Sequence, residues 1–440
     1  MGNDRETGAT RTVDVRVLDD LAERGLLAHA TDLDALRTEL AAGPITFYVG
    51  FDPTAPSLHH GNLVQLLTAR RLQQAGHRPL ILVGGATGLI GDPKEAGERV
   101  THGKEVVATW VDSIRSQVSR FVDLDGDTAA RLVNNLDWTA DTGVLDFLRD
   151  IGKHFPVNRM LGREVVRTRL ESGISYAEFS YVLLQAMDYL ELHRRYGCRL
   201  QIGGSDQWGN ITAGVELIRR ADGAAVHAFA TPLVTKADGS KFGKSETGTV
   251  WLDSGLTSPY AFHQFWLNAE DAMVEAYLRL FSFRSVTAIE ELLANGRSHP
   301  EAREAQRALA DDVTTLVHGE AEAESARAAA AALFGHGELN RVPEKTLTAA
   351  LRETPHATWS AGNGEPSVVD ALVATHLVPS RSAGRRTVAE GGAYLNNQRV
   401  TDPERMIAAS DLLHGRWCVV RKGKRFIAGF EISPSSGDAA

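Results

Sequence analysis

Through the first half of the chain, short apolar runs alternate with longer stretches in which apolar positions recur every three or four residues. That alternation predicts a parallel sheet with crossover helices, an α/β fold. Residues 45–49 read as a buried strand. Leu63, Val64, Leu66, Leu67 and Leu72 then repeat at helical spacing until Gly76 stops the helix, and residues 79–83 read as a second strand. A glycine-rich turn follows, from Gly84-Gly85-Ala86-Thr87-Gly88 to Asp92-Pro93. Such a turn lets backbone approach a ligand closely. Its spacing is not the dinucleotide fingerprint, and no suitably placed acidic residue closes a following strand, so it reads as the floor of a substrate pocket. Residues 175–196 form a strong helical segment in which Tyr181, Gln185 and Asp188 share one face. Phe179, Val182, Leu183, Leu184 and Leu190 flank them, so the polar stripe is largely buried and needs partners; a bound ligand supplies them economically.

The pattern changes in the second half. Residues 259–334 are helical and rich in Ala, Leu and Glu, and the stretch to 366 mixes Gly, Pro, Thr and Asn with weaker periodicity. The domain expectation is 1–245 for the parallel-sheet domain and 246–335 for an all-helical one. A linker over 336–366, a small α+β domain over 367–431 and a disordered tail over 432–440 complete it. The terminal domain carries Arg381, Arg385 and Arg386, a strand-like segment over 394–400, and a hairpin turning at Lys422-Gly423 beside Arg421, Lys424 and Arg425. With 440 residues the chain exceeds one ordinary core. A net charge of −9 argues against wholesale coating of nucleic acid, which leaves that terminal basic cluster as the candidate phosphate contact. Cys198 and Cys418 are the only cysteines and lack metal-ligand spacing, so neither a disulfide framework nor a zinc site is expected, and a reducing compartment suffices. The polar first residues lack the apolar run of a signal peptide, and no stretch is long and apolar enough to span a bilayer. A cytoplasmic location is the expectation.

The chemistry concentrates in two segments. Lys241-Phe242-Gly243-Lys244-Ser245 sets two ammonium groups three residues apart around a glycine, just after the polar loop Lys236-Ala237-Asp238-Gly239-Ser240. Such a loop can close over a polyphosphate, each Lys acting as a point charge. Far upstream, His59-His60-Gly61-Asn62 follows Asp52-Pro53-Thr54 and leads straight into the helix, placing polar groups and free N–H groups at a helix N-terminus. Taken alone, lysines on a Gly-rich loop are usually just solvated, and a lone His is more often structural than catalytic. A third segment, Gly203-Gly204-Ser205-Asp206-Gln207-Trp208-Gly209-Asn210, pairs a carboxylate with flexible glycines. By itself, Ser205-Asp206 would equally satisfy a turn or a helix cap.

In this order, on an α/β chain, the two segments resemble the signatures of class I aminoacyl-tRNA synthetases. With Tyr48 to Thr54, Tyr181, Gln185, Asp188 and residues 203–210, the chain is similar to the bacterial type of tyrosyl-tRNA synthetases, over roughly residues 47–430. The resemblance implies a Rossmann-like parallel-sheet catalytic domain, a helical domain and an S4-like RNA-binding domain. It also implies tyrosine activation by ATP, followed by transfer of tyrosine to tRNA-Tyr. Thr54, His59, Lys241 and Lys244 would be catalytic. Tyr48, Asp92, Tyr181, Gln185 and Asp188 would hold tyrosine, with Tyr48 and Asp188 on its phenol. Asp52, Asn62, Gly204, Asp206, Gln207, Lys244 and Ser245 would hold ATP and the adenylate. Arg381, Arg385, Arg386, Lys422 and Lys424 would meet RNA. ATP would enter with Mg2+, with no protein-bound metal, and the enzyme would be a homodimer, the apolar helix around 147–155 being a plausible contact surface. Some positions depart from the class pattern: Asn62 replaces the final His of its motif, His60 takes a usually apolar position, and Phe242 stands where Met is common. The loop over 94–99 also departs in length and basic pattern from some relatives, so phosphate contacts from Lys94 or Arg99 stay open. The rival readings are the tryptophan counterpart, a non-catalytic RNA-binding relic of a synthetase, and, weakest, a dehydrogenase.

Overall fold

The computed structural model describes residues 13–93, 102–240, 248–360 and 364–433, together with Phe242, Lys244, Ser245 and Gly362. Residues 1–12, Lys94, Arg99, Lys241 and the tail beyond 433 lie outside the described residues, as do the side chains of Lys244 and Ser245. The described chain forms two compact units, residues 1–253 with 270–305, and residues 254–269 with 306–440.

The first unit is built on a sheet of β1 (His29–Ala30), β2 (Thr46–Phe51), β3 (Arg78–Val83), β4 (Arg131–Asn134), β5 (Cys198–Gly204) and β6 (His227–Thr231), in the order β1-β6-β5-β2-β3-β4. All neighbours are parallel except the edge pair of β1 and β6. From β2 the chain steps outward through β3 to β4, then returns to the other side of β2 with β5 and β6. Between β2 and β5 the direction of winding therefore reverses, and ligands of open α/β sheets bind beyond the carboxyl ends of strands at such a point. The helices His60–Gln74 and Trp208–Ala221 follow β2 and β5 and start at that end. Leu63, Leu66, Leu67 and Leu72 of the first are fully buried, as the predicted period requires.

The helix Tyr176–Tyr196 begins with a Ser175 cap whose side chain accepts from the Glu178 N–H, and ends at Gly197 in the left-handed region, φ 62°. Val182, Leu183, Ala186, Met187 and Leu190 pack it into one apolar cluster with Tyr48, Leu80, Leu82 and Val133 of the sheet. This anchoring fixes the polar face carrying Tyr181, Gln185 and Asp188. A short antiparallel pair, β7 (Lys244–Ser245) with β8 (Gly248–Thr249), lies in the lysine-bearing segment.

The helices over residues 259–334, expected as one helical domain over 246–335, divide between the two units. Val274–Phe281 and Val286–Ser298 belong with the parallel sheet. Arg24 and Arg71 reach their connection, where the Ser282 carbonyl accepts from an Arg71 guanidinium N–H at 2.5 Å. Pro259–Leu267, Glu304–His318 and the Ala-rich Glu320–Leu333 belong almost wholly to the second unit. Ala326, Ala329 and Ala332 there pack with Tyr260, Leu347, Leu351, Trp417 and Ile427.

The expected linker is different in the structure: it contains a helix, Glu344–Arg352, and a strand, β9 (His356–Ser360). β9 is recruited by distant pairing, running parallel to β13 (Phe426–Ser433) at the edge of a five-stranded sheet with β10 (Ala393–Leu395), β11 (Gln398–Val400) and β12 (Trp417–Lys422). The strand-like segment over 394–400 is also broken. Asn396 and Asn397 have φ of 47° and 65° and make a two-residue turn between β10 and β11, the left-handed conformation that Asn tolerates best after Gly. No helix among the described residues is long and apolar enough to cross a membrane.

Candidate active site

A cavity of about 510 Å³ opens at the carboxyl ends of β2 and β5. That volume suits a ligand of small-molecule size. Its walls include Tyr48, Asp52, Thr54, His59, Asn62, Asp92, Tyr181, Gln185, Asp188, Gly204, Asp206 and Gln207, sequence-predicted site residues that the fold brings together from five separate stretches of chain. Lys241 and the side chains of Lys244 and Ser245 lie outside what is described.

Buried at the cleft, Asp188 is 2 % exposed and accepts two side-chain donors: Asn135 Nδ2 to Oδ2 and Trp138 Nε1 to Oδ1, each at 2.9 Å. Burial pushes its carboxyl up to about 7, against the pull of those two donors. Tyr48 is 1 % exposed, and its hydroxyl finds no hydrogen-bond partner among the described residues. Burial holds that hydroxyl protonated, and the nearby Asp188 charge adds to the effect. The Oε1 atoms of Gln185 and Gln201, on the same cavity, are likewise buried and unpartnered. Unpartnered polar atoms clustered on one pocket call for partners from outside the protein, water or a bound ligand.

Nearer the sheet's switch point, Asp52 Oδ2 accepts from the Tyr181 hydroxyl at 2.6 Å, and Oδ1 accepts from Thr87 Oγ1, also at 2.6 Å. Thr87 Oγ1 in turn accepts from Asn135 Nδ2 at 2.9 Å. One chain of hydrogen bonds therefore links Tyr181, Asp52, Thr87, Asn135 and Asp188. The glycine-rich turn makes room for it: a Cβ on Gly84 would meet Asp52 Oδ1 at 2.1 Å and Thr87 Oγ1 at 2.3 Å. Tyr181 spends its proton on Asp52, which leaves its oxygen as an acceptor for a cation. Asp92 accepts from Gln207 Nε2 at 2.9 Å and Asn210 Nδ2 at 3.1 Å, and Arg163 backs Asn210 by donating to its Oδ1.

At the helix N-terminus, His59 and Asn62 form a reciprocal cap. His59 Nδ1 accepts from the Gly61 N–H at 3.0 Å, while Asn62 Oδ1 accepts from the His59 N–H at 3.1 Å. With Nδ1 as acceptor, the imidazole carries its proton on Nε2. Burial lowers its pKa, so the ring is a neutral donor near pH 7. The NH2 end of Asn62 takes no part in the cap. Thr54 is exposed at the rim, its N–H donating to the Asp52 carbonyl at 2.9 Å. Among the described residues there is no group of three or more His, Cys, Asp or Glu able to hold a metal ion.

Thr87, Asn135, Trp138, Gln201, Asn210 and Arg163 carry weight here that the sequence reading did not give them. Thr87 stood in the quoted turn and Asn210 in the quoted motif, so both were findable. Asn135 and Trp138 follow β4 with no motif to mark them, 53 and 50 residues from the carboxylate they hold.

In the second unit, Arg381, Arg385 and Arg386 are exposed on the helix Arg381–Ala389. Arg381 pairs with Asp370 at 3.0 Å and Arg385 with Glu404 at 3.2 Å. Lys422 ends β12, and exposed Lys424 lies in the turn that follows, its carbonyl accepting from Arg421 at 2.8 Å.

Comparison with known proteins agrees with this geometry. The family profile described as "tRNA synthetases class I (W and Y)" matches residues 40–335, and a "Tyrosine--tRNA ligase SYY-like C-terminal domain" matches residues 347–427. A tyrosine–tRNA ligase of Kineococcus radiotolerans is 59% identical over 94% of this chain and 98% of its own length. One of Streptomyces coelicolor is 58% identical over 95% of this chain and 99% of its own. Among solved structures, a C-terminally truncated mitochondrial tyrosyl-tRNA synthetase of Coccidioides posadasii matches with a TM-score of 0.63 at 32% identity. That match covers 70% of this chain and 90% of the solved one.

Proposed function

The chain belongs to the tyrosine–tRNA ligases, class I tRNA synthetases, and on that premise we propose the roles of the residues in its cleft. The enzyme activates tyrosine with ATP and transfers it to tRNA. In the first step a tyrosine carboxylate oxygen attacks the α-phosphorus of ATP, and pyrophosphate leaves with the electrons of the broken P–O bond. In the second step a hydroxyl oxygen of the terminal tRNA ribose attacks the tyrosyl carbonyl. The bond from that carbon to the phosphate oxygen breaks, AMP leaves with its electrons, and the hydroxyl's proton is released. Neither step needs a covalent enzyme nucleophile, so positioning and charge stabilisation do the work.

The observation that carries the reading is the unpartnered Tyr48 hydroxyl beside the buried Asp188 carboxylate. A tyrosine phenol inserted there donates to Asp188 and accepts from Tyr48. Phenylalanine would leave both unserved. Discrimination of this kind, about 10⁵-fold, is the standard example drawn from this very family, and is not a value worked out from this cleft. At the other end of the substrate, the Tyr181 oxygen, the Gln185 Oε1 and Asp92 offer acceptors to the α-ammonium. Asp206 and Gln207 take the adenylate ribose, and Asp52 and Gly204 adjoin it. The His59 Nε2–H, the Asn62 amide and Thr54 face the phosphates, while Lys241, Lys244 and Ser245 close on the leaving pyrophosphate. ATP enters as its magnesium complex, the metal arriving on the triphosphate. Arg381, Arg385, Arg386, Lys422 and Lys424 meet tRNA, the first two exchanging carboxylate partners for phosphate. Dimerisation uses the exposed apolar residues Val144, Leu145, Leu148 and Val157. Phe147 and Phe155 pack inward instead. The protein works in the cytoplasm.

The test is ATP–pyrophosphate exchange with tyrosine, phenylalanine and tryptophan in turn, with Lys244→Ala as control. Exchange with tyrosine alone, lost in the control, is the expected result. Exchange with tryptophan, or with none of the three in folded protein, would overturn it.

A further inference from the structure

His60, the first residue of the helix His60–Gln74, is 4 % exposed at the edge of the cleft and has no role in the scheme above. Its imidazole sits between two backbone carbonyls: Nε2 lies 2.8 Å from the Phe242 oxygen, and Nδ1 lies 3.4 Å from the Val250 oxygen. Its backbone N–H also donates to the Val250 carbonyl, at 3.3 Å. Phe242 and Val250 lie on either side of the β7–β8 hairpin, so one side chain touches both the entry and the exit of the lysine-bearing segment.

The surroundings make this a fixed joint. Leu252 N–H donates to the Leu58 carbonyl at 2.9 Å, and His59 bridges to Trp251, so the exit strand is laced to the start of the helix. The entry is held differently. Phe242 N–H reaches the Val234 carbonyl at 3.3 Å, and the Phe242 ring packs edge-on to His60, with centroids 5.2 Å apart. The same ring lies 4.4 Å from the ring of Tyr277, whose hydroxyl donates to the Thr235 carbonyl at 2.8 Å. Burial and the neighbouring His59 push the His60 imidazole down to about 4, so near pH 7 it carries one N–H. Both neighbours are acceptors, and the proton belongs where the contact is short, on Nε2 facing Phe242. An apolar side chain could fill the same space, but it could not donate to that carbonyl.

We infer that His60 is a positioning residue for the ATP step, fastening the segment of Lys241 and Lys244, through the Phe242 carbonyl, to the helix N-terminus that faces the phosphates. This inference rests on the proposed roles of the two signature segments. It assigns a function to the position at which the chain departs from its class by carrying a histidine.

The experiment compares wild type, His60→Leu and His60→Gln. Leu removes the donor and keeps the bulk, while Gln restores an N–H at a similar reach. A typical net hydrogen bond corresponds to about a fivefold effect. His60→Leu is therefore expected to lower kcat/KM for ATP in pyrophosphate exchange about fivefold, with KM for tyrosine within about twofold of wild type. His60→Gln is expected to recover most of the loss. A second readout is independent of activity: limited trypsin cleavage at Lys236 and beyond should speed up in the Leu variant and return to the wild-type rate in the Gln variant. Equal ATP parameters and cleavage rates in wild type and Leu variant would overturn the inference. So would a Gln variant as impaired as Leu, or a uniform loss across tyrosine and ATP together with a lowered melting temperature. Wild type silent in exchange would instead count against the function proposed above, and the trypsin comparison would still decide the tether.

Discussion

Removing one oxygen from Tyr48 should move stability and affinity in opposite directions. In Tyr48→Phe the ring stays, and with it the packing against Tyr189 at 5.2 Å between centroids, so little apolar contact changes. In the free protein the lost hydroxyl is one that is buried without a protein partner. An unsatisfied buried polar group costs about 1–3 kcal/mol, so its deletion should leave the fold as stable as wild type or more stable by up to about 1 kcal/mol. With tyrosine bound, the same deletion removes a neutral hydrogen bond to the phenol, a net loss of about 0.5–1.5 kcal/mol, or about two- to twelvefold. Phenylalanine never makes that bond, so tyrosine-over-phenylalanine selectivity should fall by the same factor. Denaturant melts give the first quantity. The ratio of kcat/KM in pyrophosphate exchange with the two amino acids gives the second. A variant destabilised by more than about 1 kcal/mol with unchanged selectivity would refute the reasoning, because the hydroxyl would then serve the fold and not the substrate.

Two further outcomes follow from the same structure. Asp188 is raised from 3.8 to about 7, so between those values the folded protein holds a proton that the unfolded chain has released. Its contribution to stability is therefore present at low pH and lost as pH rises through about 7, by up to about 4 kcal/mol in total. Asp188→Asn should flatten the fall in stability between about pH 4 and pH 7, measured by denaturant midpoints, and an unchanged slope would contradict the assignment. Leu145 is 78 % exposed beside Val144 at 74 %. On the dimer proposed above, Leu145→Glu should yield a folded monomer in sedimentation, whereas a dimer unaffected by the charge would place the interface elsewhere.

Legibility in the sequence followed the range of the interaction. The helix His60–Gln74 was readable because its buried face is a local period, and β2 and β3 because they are continuous apolar runs between turn residues. The strand β9 was not, since His356-Ala357-Thr358-Trp359-Ser360 has no clean alternation. It becomes a strand by parallel pairing with Gly429 to Ser433, over seventy residues later. The Asn396-Asn397 turn was missed because Tyr394, Leu395 and Val400 suggested a single strand, and Asn signals a left-handed pair less strongly than Asn-Gly does. Of the residues that line the cleft, Tyr48, Asp188, His59 and Asp206 stood out in the sequence through motifs and one helical face. Their supports were not. Asn135 and Trp138 have no local pattern, because their constraint is a single buried carboxylate supplied by a distant helix.

Those supports tie the two ends of the cleft into one hydrogen-bonded network. Asn135 is fully buried and uses both ends of its amide: Oδ1 accepts from the Ala86 N–H at 2.7 Å, and Nδ2 donates to both Thr87 and Asp188. The first bond fastens it to the glycine-rich turn after β3. The other two join the Asp188 carboxylate to the Thr87–Asp52–Tyr181 chain at the switch point. A buried network of this kind holds its members in one geometry only while all are satisfied, and each unmet group inside it is costly. Gly84 belongs to the same constraint, because any Cβ there would fall on Asp52 and Thr87 together. Within the glycine-rich turn, the absence of a side chain at Gly84 is thus explained by close approach to a carboxylate of the protein itself. What that glycine gives the cleft is indirect: Asp52 and Tyr181 are held in one orientation. On the roles proposed above, less of the binding energy of tyrosine then goes into ordering them.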